Sequence, residues 1–267
     1  MRNNTMSKTI DILYITYNRI AYTRKTLPSM IENAGIDFNL TIFDNGSTDG
    51  TVEYINLMQK KYGATIRHIF FNHENIGIAL PTNLFWKKST ADYVGKVDND
   101  TLLPNDWLKT LVAAQEKSPR IGVIGGFHFN PGYFRDGDLE NRVLDIDGVS
   151  MIPDAFIGGC CYIMPRHIQQ AHGYMHVTPG KKTYGWTEYQ ISIYKSGYVN
   201  GYIWPLLYVE HFDDPLSQYN LTFSEHAKSS AVSLSDKGIR DHQDMLRWYA
   251  RDALRVVRGD SLSLNNA

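Results

Sequence analysis

Few cysteines, no long apolar run and no excess of charge narrow this sequence before any motif is considered. Of 267 residues only Cys160 and Cys161 are cysteines, and as neighbours they are badly placed for a disulfide framework. A reducing compartment is expected, with the pair serving as small buried hydrophobes rather than in redox or metal chemistry. No apolar run of signal-peptide length follows the first basic residue of "MRNNTMSKTIDILYITYNR", and no stretch approaches the roughly 20 apolar residues of a membrane span. The expectation is a soluble, cytoplasmic protein. The formal charge of -1 gives no support to bulk attraction for a polyanion. Neither GxGxxG nor GxxxxGK[ST] occurs, which removes the usual phosphate cradles of dinucleotide redox enzymes and P-loop phosphoryl transferases.

What is present suffices for a substantial core. With 43% hydrophobic and 12% aromatic residues, the chain fits one large α/β domain or a domain plus an extension. "IDILYITY" (10–17) has the content of a strand buried on both faces, after which Leu27, Met30, Ile31 and Ala34 recur at helical spacing. The alternation continues through strand 40–43, helix 51–62, strand 65–71, helix 80–88, strand 93–97, a helix with Trp107, Leu108, Leu111, Val112 and Gln115 inward, and strand 121–126. Such repetition implies right-handed crossovers and a mostly parallel sheet with helices on both faces. Residues 128–153, rich in Gly, Asn, Asp and Arg, suggest a long excursion or a short antiparallel piece. "AFIGGCCYIM" is strand-like, its Gly158-Gly159 pair allowing close approach to the backbone. A short helix near 187–195, a strand-like "GYIWPLLYVEHF" and a helix over 236–258 follow. The expected organisation is a tail at 1–9, a domain at 10–215 and an extension at 216–267.

In an open parallel sheet, ligands sit outside the carboxyl ends of the strands. The residues there are Thr16-Tyr17-Asn18-Arg19, "DNGSTDGT" (44–51), "NHENIG" (72–77) and Asp98-Asn99-Asp100. All four ends are polar and should open on one side. In "DNGSTDGT", Gly46 and Gly50 permit a tight turn and Ser47 or Asp49 can cap the next helix. Asp44 stands where a carboxylate could accept from a pyrimidine N–H, with a plain Asx-type turn as the alternative. Asp98 and Asp100 repel each other unless a cation intervenes. A hard divalent ion satisfies them and leaves positions for water and phosphate; a solvated turn before a helix start near Asn105 is the alternative.

In order and spacing, Thr16-Tyr17-Asn18-Arg19, "DNGSTDGT", "NIGIALPTN", "KVDNDT", "FIGGCCYIMPRH" and "YGWTEYQISIYKSGY" resemble the family 2 glycosyltransferases of the GT-A fold, over roughly residues 10–215. The resemblance implies a Rossmann-like, mostly parallel α/β sheet flanked by helices, here with a C-terminal helical extension. It implies metal-dependent, inverting transfer from a nucleotide-sugar donor, UDP-sugar favoured, to a hydroxyl of a saccharide, glycolipid or other glycoconjugate. Thr16, Asn18, Arg19 and Asp44 would hold the nucleoside, and Asn75 and Gly77 would border the nucleotide-sugar. Asp98, with Asn99 beside it, would face the ribose or donor sugar. Asp100 would bind the Mn2+ or Mg2+ that neutralises the leaving diphosphate. Many relatives place a metal-binding His after the core, which falls on His211, with Asp213 and Asp214 as rivals; oxygen plus imidazole suits either metal. Where the family often has Glu-Asp or Thr-Glu-Asp as base, this chain has Glu188-Tyr189, leaving the role to Glu188. A helix-start glutamate is the plainer alternative. Trp186 would stack on a sugar ring or fill the core.

Tyr189, replacing the second carboxylate, keeps open a non-catalytic nucleotide- or sugar-binding protein on the same fold. A nucleotidyltransferase is disfavoured, since "ITYNRIAYTRKT" lacks glycine. A modified nucleic-acid acceptor would announce itself by steep salt dependence. In the tail helix, Lys237, Arg240, Arg247, Arg251, Arg255 and Arg258 outnumber Asp236, Asp241, Asp244 and Asp252, and Leu246, Tyr249, Ala250, Ala253, Leu254 and Val257 form an apolar face. That pattern suits peripheral contact with an anionic membrane bearing a lipid-linked acceptor, another subunit or, more plainly, packing on its own domain. Nothing in the sequence specifies an oligomer.

Overall fold

The computed structural model describes residues 8–225 and 234–266; residues 1–7 of the expected tail lie outside the described residues. Strands β1 (Ile10–Thr16), β2 (Asn39–Asp44), β3 (Ile66–Phe71) and β4 (Tyr93–Asp98) lie parallel in the order β3-β2-β1-β4. They are joined by helices α1 (Ile20–Glu32), α2 (Thr51–Tyr62) and α3 (Ala79–Lys88). Beyond β4 the sheet adds β9 (Cys161–Pro165), β6 (Ile121–Gly125), β10 (Val199–Ile203), β8 (Val149–Pro153) and β7 (Leu144–Ile146), reaching nine strands. β10 runs parallel to β6, while β9 is antiparallel to both its neighbours and β7 and β8 form a hairpin at the edge. The 128–153 excursion thus contains a short antiparallel piece.

Register decides where the site lies. Thr16 pairs with Asp44 and Ile15 with Asp98, so β1, β2 and β4 end level on one side of the sheet. Across β4, Gly95 is a steric requirement: a Cβ there would stand 2.4 Å from the Tyr162 carbonyl oxygen of β9. The Gly158-Gly159 pair admits side chains rather than backbone, since a Cβ on Gly158 would meet the His128 ring at 2.3 Å.

Two apolar layers cover the sheet. On one face β1 and β2 pack against α1, α2 and α4 (Trp107–Lys117), with Leu27, Ile55, Trp107 and Leu111 fully buried. On the other lie α3, α5 (Arg166–His172), α6 (Trp186–Lys195) and α7 (His242–Arg258), where Trp86, Ile168, Ile193 and Val256 are buried together. Burying side chains of this size is worth about 1.5–3 kcal/mol each, which holds the layers closed.

Three segments differ from their sequence pattern. In "AFIGGCCYIM" the strand begins only at Cys161, as β9, and the Gly158-Gly159 approach lies before it. "GYIWPLLYVEHF" is not one strand: β10 ends at Ile203, ahead of Pro205, which has no N–H for a ladder. The chain then returns as β11 (Glu210–His211), antiparallel to β5 (Thr101–Leu102), with His211 opposite Thr101. The last helix begins at His242 rather than at 236, because the Asp241 carboxylate caps it by accepting from the Asp244 N–H at 2.8 Å. Its buried residues are Met245, Tyr249, Ala253 and Val256, so its apolar face is turned onto the domain. Among the described residues no helix is long and apolar enough to cross a membrane.

Candidate functional site

The level strand ends open into a cleft of about 680 Å³, closed on its far side by residues 182–188 and by the C-terminal segment. After β1 the chain turns through Asn18 and Arg19, both with positive φ (54° and 61°), a conformation uncommon for side chains other than glycine. The turn has a visible purpose: it aims the Arg19 guanidinium at Asp100, with Nη1 2.9 Å from Oδ2, and at Asp213, with Nη2 3.0 Å from Oδ2.

Asp100 is nearly buried. Burial acts to raise its pKa, but His211 and Arg19 outweigh it and hold the carboxyl down at about 2. With Oδ2 on Arg19, its Oδ1 faces His211 Nε2 at 3.6 Å. His211 is oriented from behind by the Tyr249 hydroxyl, 3.2 Å from Nδ1, so α7 reaches the site through this ring. Asp98 is different: burial raises its pKa against the attraction of Lys96, whose ammonium contacts Oδ1.

One oxygen and one imidazole nitrogen, 3.6 Å apart and both lining the cleft, form a donor set that fits manganese or magnesium. Among the described residues no group of three or more His, Cys, Asp and Glu side chains is gathered to hold an ion. Two protein donors suit an ion that keeps water and phosphate oxygens in its remaining positions. Of the rivals to His211, Asp214 is committed elsewhere, accepting from the Tyr133 hydroxyl at 2.7 Å and the Leu216 N–H at 2.9 Å.

Other expected site residues fall into two groups. Asp44 lies beneath the surface, accepting from the Ser47 N–H at 2.8 Å, the Gly46 N–H at 3.1 Å and the Ser47 hydroxyl. Asn18 locks the same turn by accepting from the Thr48 N–H at 2.9 Å. Asn99 donates to the Thr16 hydroxyl at 3.2 Å and to the Asn18 carbonyl at 3.3 Å. These four hold the loops in place from within. Thr16 and Asn99 also line the cleft, together with Arg19, Asn75, Gly77, Asp98, Asp100, Glu188 and His211, whereas Asp44 and Asn18 do not. At Gly77 the backbone approach is extreme, a Cβ standing 2.5 Å from the Lys182 carbonyl oxygen, and φ is 80°. Glu188 sits in the first turn of α6, exposed to the cleft, and its carboxylate has no hydrogen-bond or ion-pair partner among the described residues.

Trp186 is buried and stacked on Tyr162 with ring centroids 3.9 Å apart, so most of its surface belongs to the core. Cys160 and Cys161 are buried free thiols whose pKa values burial raises, Cys161 to about 12; they are inert at neutral pH. Sequence patterns missed Lys96, Asn45, Lys237, Trp248, Asp252 and Arg255, all of which line the cleft. Lys96 had a signal, a charge inside an otherwise apolar strand; the last four had none that pointed to the cleft, because only tertiary packing brings α7 and the turn before it to the strand ends.

Residues 11–157 match the model described as glycosyl transferase family 2. The chain is 30% identical over 120 residues to an uncharacterized glycosyltransferase of Haemophilus influenzae, covering 45% of this chain and 47% of that one. It is 31% identical over 130 residues to a chondroitin synthase of Pasteurella multocida, covering 49% of this chain but 13% of that one. A mannosyltransferase from Pyrobaculum calidifontis, solved in complex with GDP-Man and Mn2+, shares the fold with a TM-score of 0.59 at 20% identity, covering 73% of this chain and 55% of that one. The chain therefore spans less than half of these two sequence relatives.

Proposed function

The chain belongs to glycosyl transferase family 2, and from that premise we propose that it moves a sugar from a nucleotide diphosphate donor, UDP-sugar favoured, to a hydroxyl of a saccharide or glycoconjugate, with inversion and with a divalent ion on the diphosphate. The observation that carries this reading is the convergence of Asp98, Asp100, His211 and the unpartnered Glu188 on one cleft at the level ends of a parallel sheet. The mannosyltransferase neighbour, with GDP-Man and Mn2+ on the same fold, supports donor class and ion.

Asp100 and His211 would hold the ion, which when bound supplies positive charge to the departing diphosphate. Arg19 keeps Asp100 ionised and fixes its orientation. Thr16, Asn18, Asn99 and Asp44 shape the loops that border the nucleoside, acting through the backbone they hold. Asn75 and Gly77 form the opposite lip, and Asp98, tethered by Lys96, faces the ribose or sugar. Glu188 takes the proton from the acceptor hydroxyl as that oxygen attacks the anomeric carbon from the face opposite the leaving group, which inverts the configuration.

A thermal-shift screen tests the reading, with UDP, GDP and their sugars, with and without Mn2+, on wild type and Asp100→Ala. A nucleotide at a hundred times its dissociation constant should stabilise wild type by about 2.7 kcal/mol. The metal-dependent part of that gain should vanish in Asp100→Ala. Failure of every nucleotide under every metal condition would remove the donor class and the reading with it.

A further inference from the structure

The segment after the strand-end domain does more than cover a core. Residues Leu234 and Ile239 are buried with Met245 and Tyr249 of α7, in a small cluster that fixes the intervening turn against the helix. From that turn two consecutive side chains point in different directions with different partners. Asp236 grips the loop on the far side of the cleft: Oδ1 accepts from Lys181 Nζ at 2.9 Å, and Oδ2 accepts from the Lys182 N–H at 3.3 Å and the Thr183 hydroxyl at 3.4 Å. That loop is pinned in turn to the Asn75–Ile78 lip, through the Ile78 N–H donating to the Lys182 carbonyl at 2.9 Å and Lys182 Nζ donating to the Asn75 carbonyl. Asp236 thus closes a continuous strap over the cleft.

Lys237, next along, enters the cleft itself. Its ammonium lies 4.4 Å from the centre of the Trp248 ring. It has no hydrogen-bond or ion-pair acceptor among the described residues, although the other basic side chains lining the same cleft have acceptors: Arg19 on Asp100 and Asp213, Lys96 on Asp98, Lys182 on the Asn75 carbonyl, Arg255 on Asp154. Lys237 is solvent-exposed within the cleft, and the carboxylates of Asp213, Asp100 and Asp252 act to keep its ammonium charged, which places it within electrostatic reach of the strand-end carboxylates. A cation held on an aromatic face, with no acceptor for its N–H donors among the described residues and within electrostatic reach of the Asp100 carboxylate that would carry the ion, is arranged to receive phosphate oxygens.

We infer that Lys237 is a phosphate-binding residue of this cleft, taking the diphosphate of the donor, with Asp236 and Trp248 holding it there. The inference rests on the proposed donor class, and it assigns to a residue beyond the matched span 11–157 a direct part in donor binding. Phosphate between Lys237 and the ion would have positive charge on two sides, favouring departure of the diphosphate as it gains charge.

Calorimetric titration of the full chain with UDP and uridine, and with GDP and guanosine, in the presence of Mn2+, tests it on wild type, Lys237→Met and Lys237→Arg. Lys237→Met should weaken the nucleoside diphosphate about tenfold or more while the bare nucleoside changes by less than about twofold. Lys237→Arg, which keeps charge and donors, should stay within about threefold of wild type. Asp236→Asn, which loosens the strap without touching Lys237, should show the same selective loss for the diphosphate in weaker form. Wild-type affinity for the nucleoside diphosphate in Lys237→Met overturns the inference alone, and so does an effect confined to the KM of the acceptor. Absence of nucleotide binding by wild type overturns the proposed function as well, so the two failures are separable.

Discussion

At the residue scale the strand-end carboxylates are differentiated by their partners. Asp100 is held ionised by His211 and Arg19, Asp98 is bonded to Lys96, Asp213 is paired with Arg19, and Asp214 is absorbed by Tyr133 and the backbone. Glu188 is left with its carboxylate exposed to the cleft. A carboxylate so placed is free to meet a substrate hydroxyl, whereas one already bonded must first give up a partner. Glu188→Gln, which keeps shape and removes the proposed base, should therefore lower kcat by about 10²–10⁴. Nucleotide affinity, measured by titration, should hold within about twofold if Glu188 serves the acceptor as proposed. Undiminished turnover in Glu188→Gln would move the base elsewhere, with Asp98 the next carboxylate on the cleft wall.

At the element scale, α7 is joined to the domain by charge as well as by apolar packing. Arg255 grips Asp154 with Nη1 at 2.7 and 2.8 Å from its two oxygens, and lies over the Phe156 ring at 4.0 Å. Asp154 is almost wholly buried, so removing its partner leaves an uncompensated charge. Arg255→Met should cost about 3 kcal/mol, seen as a lower urea midpoint at unchanged slope. A loss below about 1 kcal/mol would mean that Ala253 and Val256 dock the helix unaided. This element also shows what the sequence can and cannot disclose. Helix 51–62 has the same bounds in pattern and structure, because local periodicity and the Gly50 turn define it. Asp98, Asp100 and Glu188 were legible as strand-end and helix-start polar residues. The face of α7 was legible only in part: the pattern picks Tyr249 and Ala253, which are buried, but also Leu246 and Leu254, and it passes over Val256, which meets the sheet layer beside Ala253, and Met245, which packs on Leu234 and Ile239. Which stripe of an amphipathic helix is buried depends on what it docks against, and nothing local records that Arg255 will find Asp154 about 100 positions earlier in the chain.

At the scale of the whole molecule, the question is whether residues 216–267 form a separable extension or a part of one folding unit. The packing favours one unit. Ala253 and Val256 share a core layer with Trp186 and Ile193, Tyr249 supports His211 inside the cleft, and the Ser261 hydroxyl contacts both the Asp154 carboxylate and the Ala155 N–H. Removing that layer would open the face of the sheet on which Glu188 stands, so the helix and the domain should lose structure together. Urea unfolding followed at two places tests this: tryptophan emission in a variant retaining only Trp248, and tryptophan emission in one retaining only Trp107, which lies in the opposite core layer. Coincident midpoints are expected for the two variants once each is referenced to its own far-UV transition. A Trp248 transition at distinctly lower urea, with secondary structure of the sheet intact, would make α7 a detachable cover and turn nucleotide binding into a question of whether that cover is docked.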